Sequence, residues 1–378
     1  MAALTEEQSI IKDQAKSWVS AQSPVQKFRE MRDNDTPNAY LPATWSAIVE
    51  MGWTGIIVPE PYGGSDMGYL TFGIVLEELG RQLAASPLFA SALVGASAIV
   101  LGGNDDQKQR LLPGIVDGSE IVTLAIDEGP RHNPTNVALS ATSTAAGFQL
   151  DGQKTFVLEG MAATNYIVAA RTATGGTDAE GISLFLVPAN AEGLSRNVLN
   201  TVDSRGYAQL DFSSVKVEQA DLLGTLNNGY TILEPTLDRA RAALGAEMLG
   251  TGAQAFDMTL DYLKTREQFG RVIGSFQALG HRAAGLFSTM ELARSCAESA
   301  LQAIDDDAAD VALKCSLSKA KVGDFLHNMS NQLIQIHGGI GMTDEFDAGF
   351  YLKRARVLET LFGNQAFHRD RYASLLQF

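Results

Sequence analysis

The sequence is poor in the residues that usually mark a hydrolase, a metalloenzyme or a disulfide-rich domain. It has two cysteines, Cys296 and Cys315, in 378 residues, and their spacing fits neither a metal site nor a redox pair. Its five histidines show no metal-ligand spacing, and no GxSxG, HExxH, GxGxxG or P-loop motif occurs. We therefore predict no resident metal and no Rossmann-type nucleotide site. The cysteine usage indicates a reduced, cytoplasmic chain.

Targeting and membrane segments are not indicated either. The N-terminus is acidic from Glu6 onward and has no apolar segment, so no signal peptide is predicted. Residues 82–104 carry no charge and would be long enough to span a membrane. Pro87 and several serines and glycines dilute that stretch, however. We predict a buried helix of a water-soluble domain there.

Positive charge is also scarce, because the formal net charge is −15. A surface of that sign repels nucleic acid and anionic lipid, so neither is predicted as a partner. The charge is uneven: residues 1–120 carry −7, residues 121–228 carry −5 and residues 229–378 carry −3. The last third is therefore the region where an anionic ligand is most easily held.

The spacing of apolar residues changes twice along the chain. Ile11, Ala15 and Val19 share one helix face near the start, whereas short apolar runs with turn residues follow after residue 121. Among these runs, Asp151-Gly152 predicts the turn of a β-hairpin. Long helical patterns return after residue 229, and Pro235 suits the first turn of the first of them.

These patterns predict an α+β chain of three domains. We expect an all-α domain over residues 1–120, a middle β domain of barrel or sandwich form over 121–228, and a helical bundle over 229–378. The bundle helices are predicted at 235–264, 275–304 and 310–336, with one or two more in 345–376.

Two segments of the last third carry candidate chemistry. Residues 265–277 read TREQFGRVIGSFQ, in which Arg266 can fork onto a phosphate and Phe269 can present a flat ring to an adenine or flavin. Residues 334–342 read IQIHGGIGM, whose glycines allow a close backbone approach to a ligand. Taken alone, the first segment is more simply a connection between helices with Phe269 buried. The second is equally well a helix end.

Together and in this order, the segments resemble the signatures of the acyl-CoA dehydrogenase family, and the resemblance covers the whole chain. Residues 53–83, with VPEPYGG and EELGRQL, are similar to that family's N-terminal helical domain. REQFG and QIHGGIG are similar to its two C-terminal signatures. The tail, with YLKRAR and ETLFGN, resembles the small-subunit branch, which includes the small subunit of pimeloyl-CoA dehydrogenase. The resemblance implies a helical domain, a middle β-barrel and a C-terminal four-helix bundle.

The resemblance also implies FAD bound across a subunit interface, an acyl-CoA substrate and an electron-transfer flavoprotein as acceptor. In the family, the ADP end of FAD reaches the neighbouring subunit's Arg-x-x-Phe-Gly and Gln-x-x-Gly-Gly motifs. The corresponding residues here are Arg266, Gln268, Phe269, Gln277, Gln335, Gly338 and Gly339. A flavin shared in this way implies at least a dimer.

The middle region departs from the family pattern. The flavin motif of the family reads roughly Thr-Glu-Pro-x-x-Gly-Ser-Asp, and the matching stretch here is DEGPRHN, residues 127–133. Asp127 would add negative charge beside an electron-accepting flavin. The later Trp/Phe-Ile-Thr element appears as FVL, residues 156–158, without its hydroxyl. The GSD sequence at 64–66 lies in the wrong domain to replace the missing part.

The family's carboxylate base is missing from both of its usual positions. One position is Phe362, before Gly363, and the other is Ala240, before Arg241. Glu247 lies seven residues after Ala240, so it shares that helix face about 10 Å along the axis. Glu247 is therefore our candidate base. Its alternative role is that of a polar bundle residue, paired with Arg241 or with a partner, or lining the substrate channel.

Three functions remain open at this point. The first is the partner subunit of an α2β2 acyl-CoA dehydrogenase, which lends ADP-end contacts to FAD held mainly by a homologous catalytic chain. The second is a self-sufficient homo-oligomeric acyl-CoA dehydrogenase with Glu247 as base. The third is a non-enzymatic interaction protein on the same fold. The ADP-end residues are intact while the flavin-ring and base residues are lost, which favours the first.

Overall fold

The computed structural model describes residues 4–173 and 179–378, which form two compact units. The first unit comprises Met1–Arg29, Tyr69–Ala84 and Arg241–Phe378. The second comprises Glu30–Gly68 and Ala85–Ala240. The first unit is helical, and the second holds the β-sheet together with shorter helices.

Helices occupy both ends of the chain. Those before the sheet are α1 (Glu6–Gln22), α2 (Val25–Asp33), α3 (Pro42–Glu50), α4 (Gly68–Arg81), α5 (Ala96–Gly102) and α6 (Asp105–Val116). Those after it are α7 (Tyr230–Thr265), α8 (Gln277–Asp305), α9 (Val311–His337), α10 (Ala348–Thr360) and α11 (Gln365–Leu375). Helix α7 starts earlier than predicted, so Pro235 lies inside it rather than in its first turn.

Local side-chain chemistry sets several helix starts. At α1, the Thr5 hydroxyl accepts from the Gln8 N–H at 3.1 Å, and the Gln8 side chain accepts from the Thr5 N–H at 3.1 Å. Asn104 and Gln107 form the same reciprocal pair at α6. These caps satisfy backbone donors that have no partner inside the helix.

Two glycines of the first unit allow close helix contacts. A Cβ added at Gly80 of α4 would lie 2.4 Å from the carbonyl oxygen of Glu247 on α7. A Cβ added at Gly250 of α7 would lie 1.8 Å from the carbonyl oxygen of Glu77 on α4. Helices α4 and α7 therefore meet backbone to backbone, which fixes the position of Glu247 along the bundle.

Most of the uncharged stretch 82–104 is buried, as predicted, although Leu101 is 39% exposed and the first part of the stretch is not α-helical. Leu88–Gly95 forms a π-helical segment that leads into α5, and residues 88–99 are buried. The Ser91 hydroxyl anchors this segment to the sheet, because it accepts from the Val122 N–H at 3.0 Å. Among the described residues, no helix has the length and hydropathy needed to cross a membrane.

The second unit is built around an eight-stranded mixed sheet. Its strands are β1 (Val122–Ala125), β2 (Ser140–Thr144), β3 (Gly147–Leu158), β4 (Asn165–Arg171), β5 (Ile182–Pro188), β6 (Leu194–Leu199), β7 (Tyr207–Glu218) and β8 (Leu222–Leu223). The order is β6-β7-β3-β2-β4-β5-β8, and β1 pairs with β4 in parallel. Leu150, Tyr166, Phe185 and Leu210 are buried in its core.

The predicted hairpin turn at Asp151-Gly152 is wrong. Both residues lie inside β3, where the pairing with β7 shifts register between Leu150 and Gly152, which marks a β-bulge. The Asp151 carboxylate accepts from the Ser214 N–H at 2.7 Å and so stabilises the bulge. Gly152 has a φ of +141°, which few other residues adopt. The Asp-Gly pair therefore bends a continuous strand instead of reversing the chain.

Candidate cofactor and catalytic site

The two C-terminal motifs are brought together in the first unit by the last turns of α7 and α9. The rings of Tyr262 on α7 and His337 on α9 are stacked with their centroids 4.2 Å apart. The ring centroid of Phe346 lies 4.8 Å from that of His337. Arg266 follows Tyr262 by one helical turn, and Gly338 follows His337 directly. Sequence reasoning missed Tyr262, since nothing local marks it as the contact between the motifs.

The segment after α7 forms a short β-hairpin with a two-residue turn. Strands β9 (Glu267–Gln268) and β10 (Arg271–Val272) pair antiparallel, and Phe269 and Gly270 form the tip. Both tip residues have positive φ, +55° and +78°, as a type I′ turn requires. That conformation favours asparagine or glycine, so a phenylalanine at the tip is strained.

Phe269 is almost fully exposed, which corrects the simpler reading of it as a buried plug. The residue is 92% exposed, and its ring approaches that of Phe276 edge-on with centroids 6.2 Å apart. Neither local conformation nor packing inside the chain explains a large apolar residue at this position. An exposed strained aromatic ring indicates a binding role.

All seven predicted cofactor residues are solvent-exposed in the single chain. Gln277 begins α8, and Gln335 lies in the last turn of α9. A Cβ added at Gly338 or Gly339 would meet nothing within 4 Å, so the backbone there is open to a ligand. Exposed guanidinium, amide and aromatic groups beside an open glycine turn fit a diphosphate and an adenine. These residues therefore fit the ADP end of FAD.

In the middle region that matches the flavin-ring motif, the acidic side chains are already occupied by hydrogen bonds within the chain. The Asp127 carboxylate lies 3.0 Å from Nδ1 of His132, which donates to it, and accepts from the Asn133 N–H at 3.2 Å. The Asp127 carbonyl accepts from the Thr155 N–H at 2.8 Å. The acidic side chain is thus already hydrogen-bonded by its own loop.

Glu128 is engaged in the same way. Its carboxylate accepts from the backbone N–H groups of Ala138 and Leu139 at 2.7 and 2.9 Å, and from Nζ of Lys154 at 2.6 Å. Burial lowers the pKa of Lys154 to about 8, and the charge of Glu128 opposes that shift. The carboxylates of Asp127 and Glu128 therefore fix the conformation of segment 127–139. These residues do not fit a flavin ring in the way the family motif does.

The two usual base positions hold apolar, buried side chains. Ala240 is fully buried within α7, and Phe362 lies in the turn between α10 and α11. Phe362 and Gly363 both have positive φ, +55° and +104°. A β-carbon at Gly363 would lie 2.4 Å from the Phe367 ring, so only glycine fits there.

Three buried basic side chains hold this turn by its carbonyl groups. Nζ of Lys319 donates to the carbonyl oxygens of Leu358, Glu359 and Gly363 at 2.8, 3.2 and 3.1 Å. The Phe362 carbonyl oxygen accepts from Nε2 of His368 at 3.0 Å and from Nε of Arg241 at 3.4 Å. We call Lys319, Arg241 and His368 the basic cluster.

Burial governs the protonation of the basic cluster. It lowers the pKa of Lys319 to about 7, with Glu359 opposing and Arg241 adding to the shift. Burial and the charges of Lys319 and Arg241 lower the pKa of His368 to about 2, so its ring is neutral and Nε2–H donates. Sequence analysis missed Lys319 and His368, because their acceptors are backbone atoms that no motif records.

Glu247 is a buried residue that pairs with Arg354, whereas the sequence analysis left open a pair with Arg241, a pair with a partner or a place in the substrate channel. Its Oε1 accepts from Nε and a terminal nitrogen of Arg354 at 3.1 and 2.6 Å. The side chains of Arg354 and Glu247 are 8% and 10% exposed. The ion pair holds the carboxylate of Glu247 in one orientation. The role of Glu247 as the catalytic base stays a prediction. Among the described residues, no three His, Cys, Asp or Glu side chains gather as a metal site would require.

Comparison with known proteins gives matches over almost the whole chain. Models of the acyl-CoA dehydrogenase N-terminal, middle and C-terminal domains match residues 5–119, 127–220 and 227–376. The mitochondrial isovaleryl-CoA dehydrogenase of Pongo abelii is 30% identical over 354 residues, which cover 89% of this chain and 81% of that protein.

Solved structures agree with these matches. A structure titled Tcur3481-Tcur3483 steroid ACAD G363A variant is 29% identical with a TM-score of 0.89, and the match covers 98% of each chain. The ChsE4-ChsE5 complex from Mycobacterium tuberculosis is 25% identical with a TM-score of 0.89 and covers 99% of this chain and 98% of that one.

The architecture and the matches define a flavoprotein oxidoreductase that acts on CH–CH bonds. The chain belongs to the acyl-CoA dehydrogenase family, whose cofactor is FAD. FAD in this family supplies the acceptor for a hydride taken from the acyl thioester. The fold predicted from the sequence, with helical terminal regions around a β region, is confirmed.

Proposed function

We propose that this chain is the partner subunit of a heteromeric acyl-CoA dehydrogenase, with α2β2 stoichiometry. Its Arg266, Gln268, Phe269 and the 338–339 turn hold the ADP end of FAD. A homologous catalytic chain holds the flavin ring and supplies the base. The partner's binding of the flavin ring explains how this chain can function although its own 127–139 segment is closed.

The observation that carries the proposal is the contrast between the two ends of the cofactor site. The ADP-end residues are exposed and open, and Phe269 is both strained and unpacked. The carboxylates of Asp127 and Glu128 are bound by their own loop. Further exposed apolar residues of the first unit support burial against another subunit. They are Phe287, Leu292, Ile340 and Met342.

The proposal extends to substrate, acceptor and location. The substrate is an acyl-CoA thioester with a bulky acyl group such as a steroid side chain, which the similarity to the steroid ACAD structure supports. An electron-transfer flavoprotein takes the electrons, and the heteromer works in the cytoplasm. We further propose the division into domains at 1–120, 121–228 and 229–378.

Co-expression with a homologous acyl-CoA dehydrogenase subunit tests the proposal. The chain purified alone is expected to bind little FAD and to show no acyl-CoA-dependent dye reduction. The co-expressed pair is expected to be yellow, active and close to the native mass of four chains. Flavin absorbance, native mass spectrometry and dye reduction measure these three properties. A stoichiometric, yellow and active homo-oligomer of this chain alone would contradict the proposal.

Replacing Phe269 with asparagine separates binding from folding. Asparagine tolerates the left-handed conformation, so the unfolding midpoint of the lone chain should be unchanged or slightly higher. Loss of an aromatic face for the adenine should raise the Kd of the assembled complex for FAD roughly 5- to 100-fold. Thermal unfolding of the chain and flavin release from the complex are the two measurements.

The matched control is Phe378→Asn, which removes an aromatic residue that is 94% exposed and lies outside both the two motifs and the exposed apolar residues named above. Its complex is expected to retain FAD as the parent complex does. Equal flavin retention by the Phe269→Asn and parent complexes would show that the hairpin tip has no part in holding the cofactor.

A further inference from the structure

The hairpin that carries Phe269 also carries an arginine that the proposed function does not use. Arg271 begins strand β10, directly after the tip of the hairpin, and the residue is exposed. Its guanidinium carbon lies over the ring of Phe276, 4.0 Å from the ring centroid. A cation–π contact of this kind orients the flat guanidinium and leaves its N–H edge able to bind a ligand.

The register of the hairpin places Arg271 beside the predicted cofactor residues. Arg271 pairs directly with Gln268, and the N–H of Ile273 donates to the carbonyl oxygen of Arg266 at 2.8 Å. Successive side chains of a strand alternate between its two faces, and directly paired residues share one face. Arg266, Gln268 and Arg271 therefore lie on one face of the hairpin. Glu267, the one carboxylate of residues 266–273, lies on the other face.

Neither arginine of this face has an acidic partner within the described part of the chain. No carboxylate among the described residues lies at ion-pair distance from Arg266 or Arg271. Acidic residues are plentiful, because the sequence has 44 Asp and Glu against 29 Lys and Arg. Arg29, Arg81 and Arg294 of the same unit each form an ion pair. Two guanidinium groups without a carboxylate on one exposed face are suited to an anion from outside the chain.

The ring beneath Arg271 connects it to the hairpin tip and to the start of α8. Phe276 meets the ring of Phe269 edge-on, with centroids 6.2 Å apart. It also precedes Gln277, the first residue of α8, and no side chain caps that helix. The N–H groups of an uncapped helix start carry positive potential. Phe276 thus holds a guanidinium and an aromatic ring beside a helix end that favours negative charge.

We propose that Arg271 is a further cofactor-binding residue, which supplies a second guanidinium to the diphosphate of FAD. The assignment rests on the proposed function, because it takes the hairpin as part of the ADP-end site. The phosphates of FAD each carry a negative charge, and Arg266 alone leaves one of them without a counter-charge. Arg271 completes the match. Phe276 is a positioning residue, since it acts through Arg271 and Phe269.

Titration of a flavin-free assembly with ADP and with adenosine tests the proposal. The protein is whichever assembly retains FAD after co-expression, heteromer or homo-oligomer, with its FAD then removed. Adenosine lacks the diphosphate, so the ratio of the two dissociation constants measures the contribution of the phosphate groups. Arg271→Gln is expected to raise the Kd for ADP about tenfold and to leave the Kd for adenosine within about twofold of the parent value. Calorimetry measures both constants.

Three comparisons separate charge, ring and position. Phe269→Asn should raise both dissociation constants alike, because it removes a face for the adenine and no charge. Arg369→Gln, which removes an exposed guanidinium of α11 outside both motifs, should change neither constant. Phe276→Leu should raise the Kd for ADP several-fold, and Phe276→Tyr should restore the parent value, because it returns a ring beneath Arg271.

The outcomes distinguish this proposal from the proposed function. An unchanged ratio in Arg271→Gln, together with weaker binding of both ligands by Phe269→Asn, would overturn only the role of Arg271. Parent affinities for both ligands in both variants would overturn that role and the ADP-end site together, as would the absence of FAD from every assembly. A homo-oligomer that retains FAD would contradict the partner-subunit role, and the same titration would still decide the role of Arg271.

Discussion

Replacing Lys319 with methionine is expected to lower the free energy of unfolding by about 3–5 kcal/mol. Methionine fills a similar volume but donates no hydrogen bond. The carbonyl oxygens of Leu358, Glu359 and Gly363 then lose the donor that holds the turn between α10 and α11. Denaturant unfolding followed by circular dichroism measures the loss. A change below about 1 kcal/mol would contradict the role given to Lys319.

The matched control lies on the same helix. Lys314 pairs with Asp310 at 3.1 Å, and both side chains are substantially exposed. Lys314→Met should therefore change the free energy of unfolding by about 0.5 kcal/mol or less.

The difference between the parent chain and Lys319→Met should also depend on pH. The folded pKa of Lys319 is about 7, below the ordinary value of 10.5, so the unfolded chain binds more protons between these pH values. The stability of the parent relative to Lys319→Met therefore rises with pH from about 7 toward 10.5. Parallel pH profiles of the two proteins would contradict this assignment.

Replacing Arg354 with methionine is expected to destabilise the first unit by about 3–5 kcal/mol, because it leaves the buried Glu247 carboxylate without its guanidinium. The double variant Glu247→Gln, Arg354→Met should recover much of that loss, since no charge is then left unpaired. Denaturant unfolding of the parent, Glu247→Gln, Arg354→Met and the double variant gives the coupling energy between the two side chains. Arg369→Met, which breaks the exposed pair with Asp324, should cost little.

Glu247→Gln also separates two assignments of the catalytic base. In a homo-oligomer with Glu247 as base, this variant should keep FAD and lose roughly 10²–10⁴-fold in rate. Under the proposed function the base comes from the partner, so kcat of the assembled heteromer should stay within a few-fold of the parent value. Dehydrogenation kinetics of the assembled enzyme distinguish the two.

The sequence was sufficient for features that depend on local pattern. The change from helical to strand spacing predicted the helical ends and the β region, and glycines after residue 337 predicted the end of α9. The prediction of a turn at Asp151-Gly152 was wrong for a physical reason. The same dipeptide suits a hairpin turn and a β-bulge, and pairing with a distant strand decides between them.

The site shows the same division between local and distant information. Arg266 and Phe269 could be identified as candidate cofactor residues from one short segment. The exposure of Phe269 could not, because it depends on the absence of packing partners in the folded chain. The contacts of Glu247 and Lys319 cross about 107 and 40 positions of the chain, respectively. No local spacing encodes such contacts, so Arg354 and the basic cluster became visible only in the folded chain.

Under the proposed function, the strained hairpin tip affects the chain before it assembles with its partner. A lone copy carries a conformational cost at Phe269 and exposes an apolar ring, while asparagine at the same position would relieve both. Under the proposed function, a phenylalanine is useful at this position only in the assembled enzyme, where its ring contacts the adenine. On that proposal, the hairpin of a chain without its partner stays uncovered and open to chaperones, proteases and self-association, so the abundance of this chain depends on that of its partner.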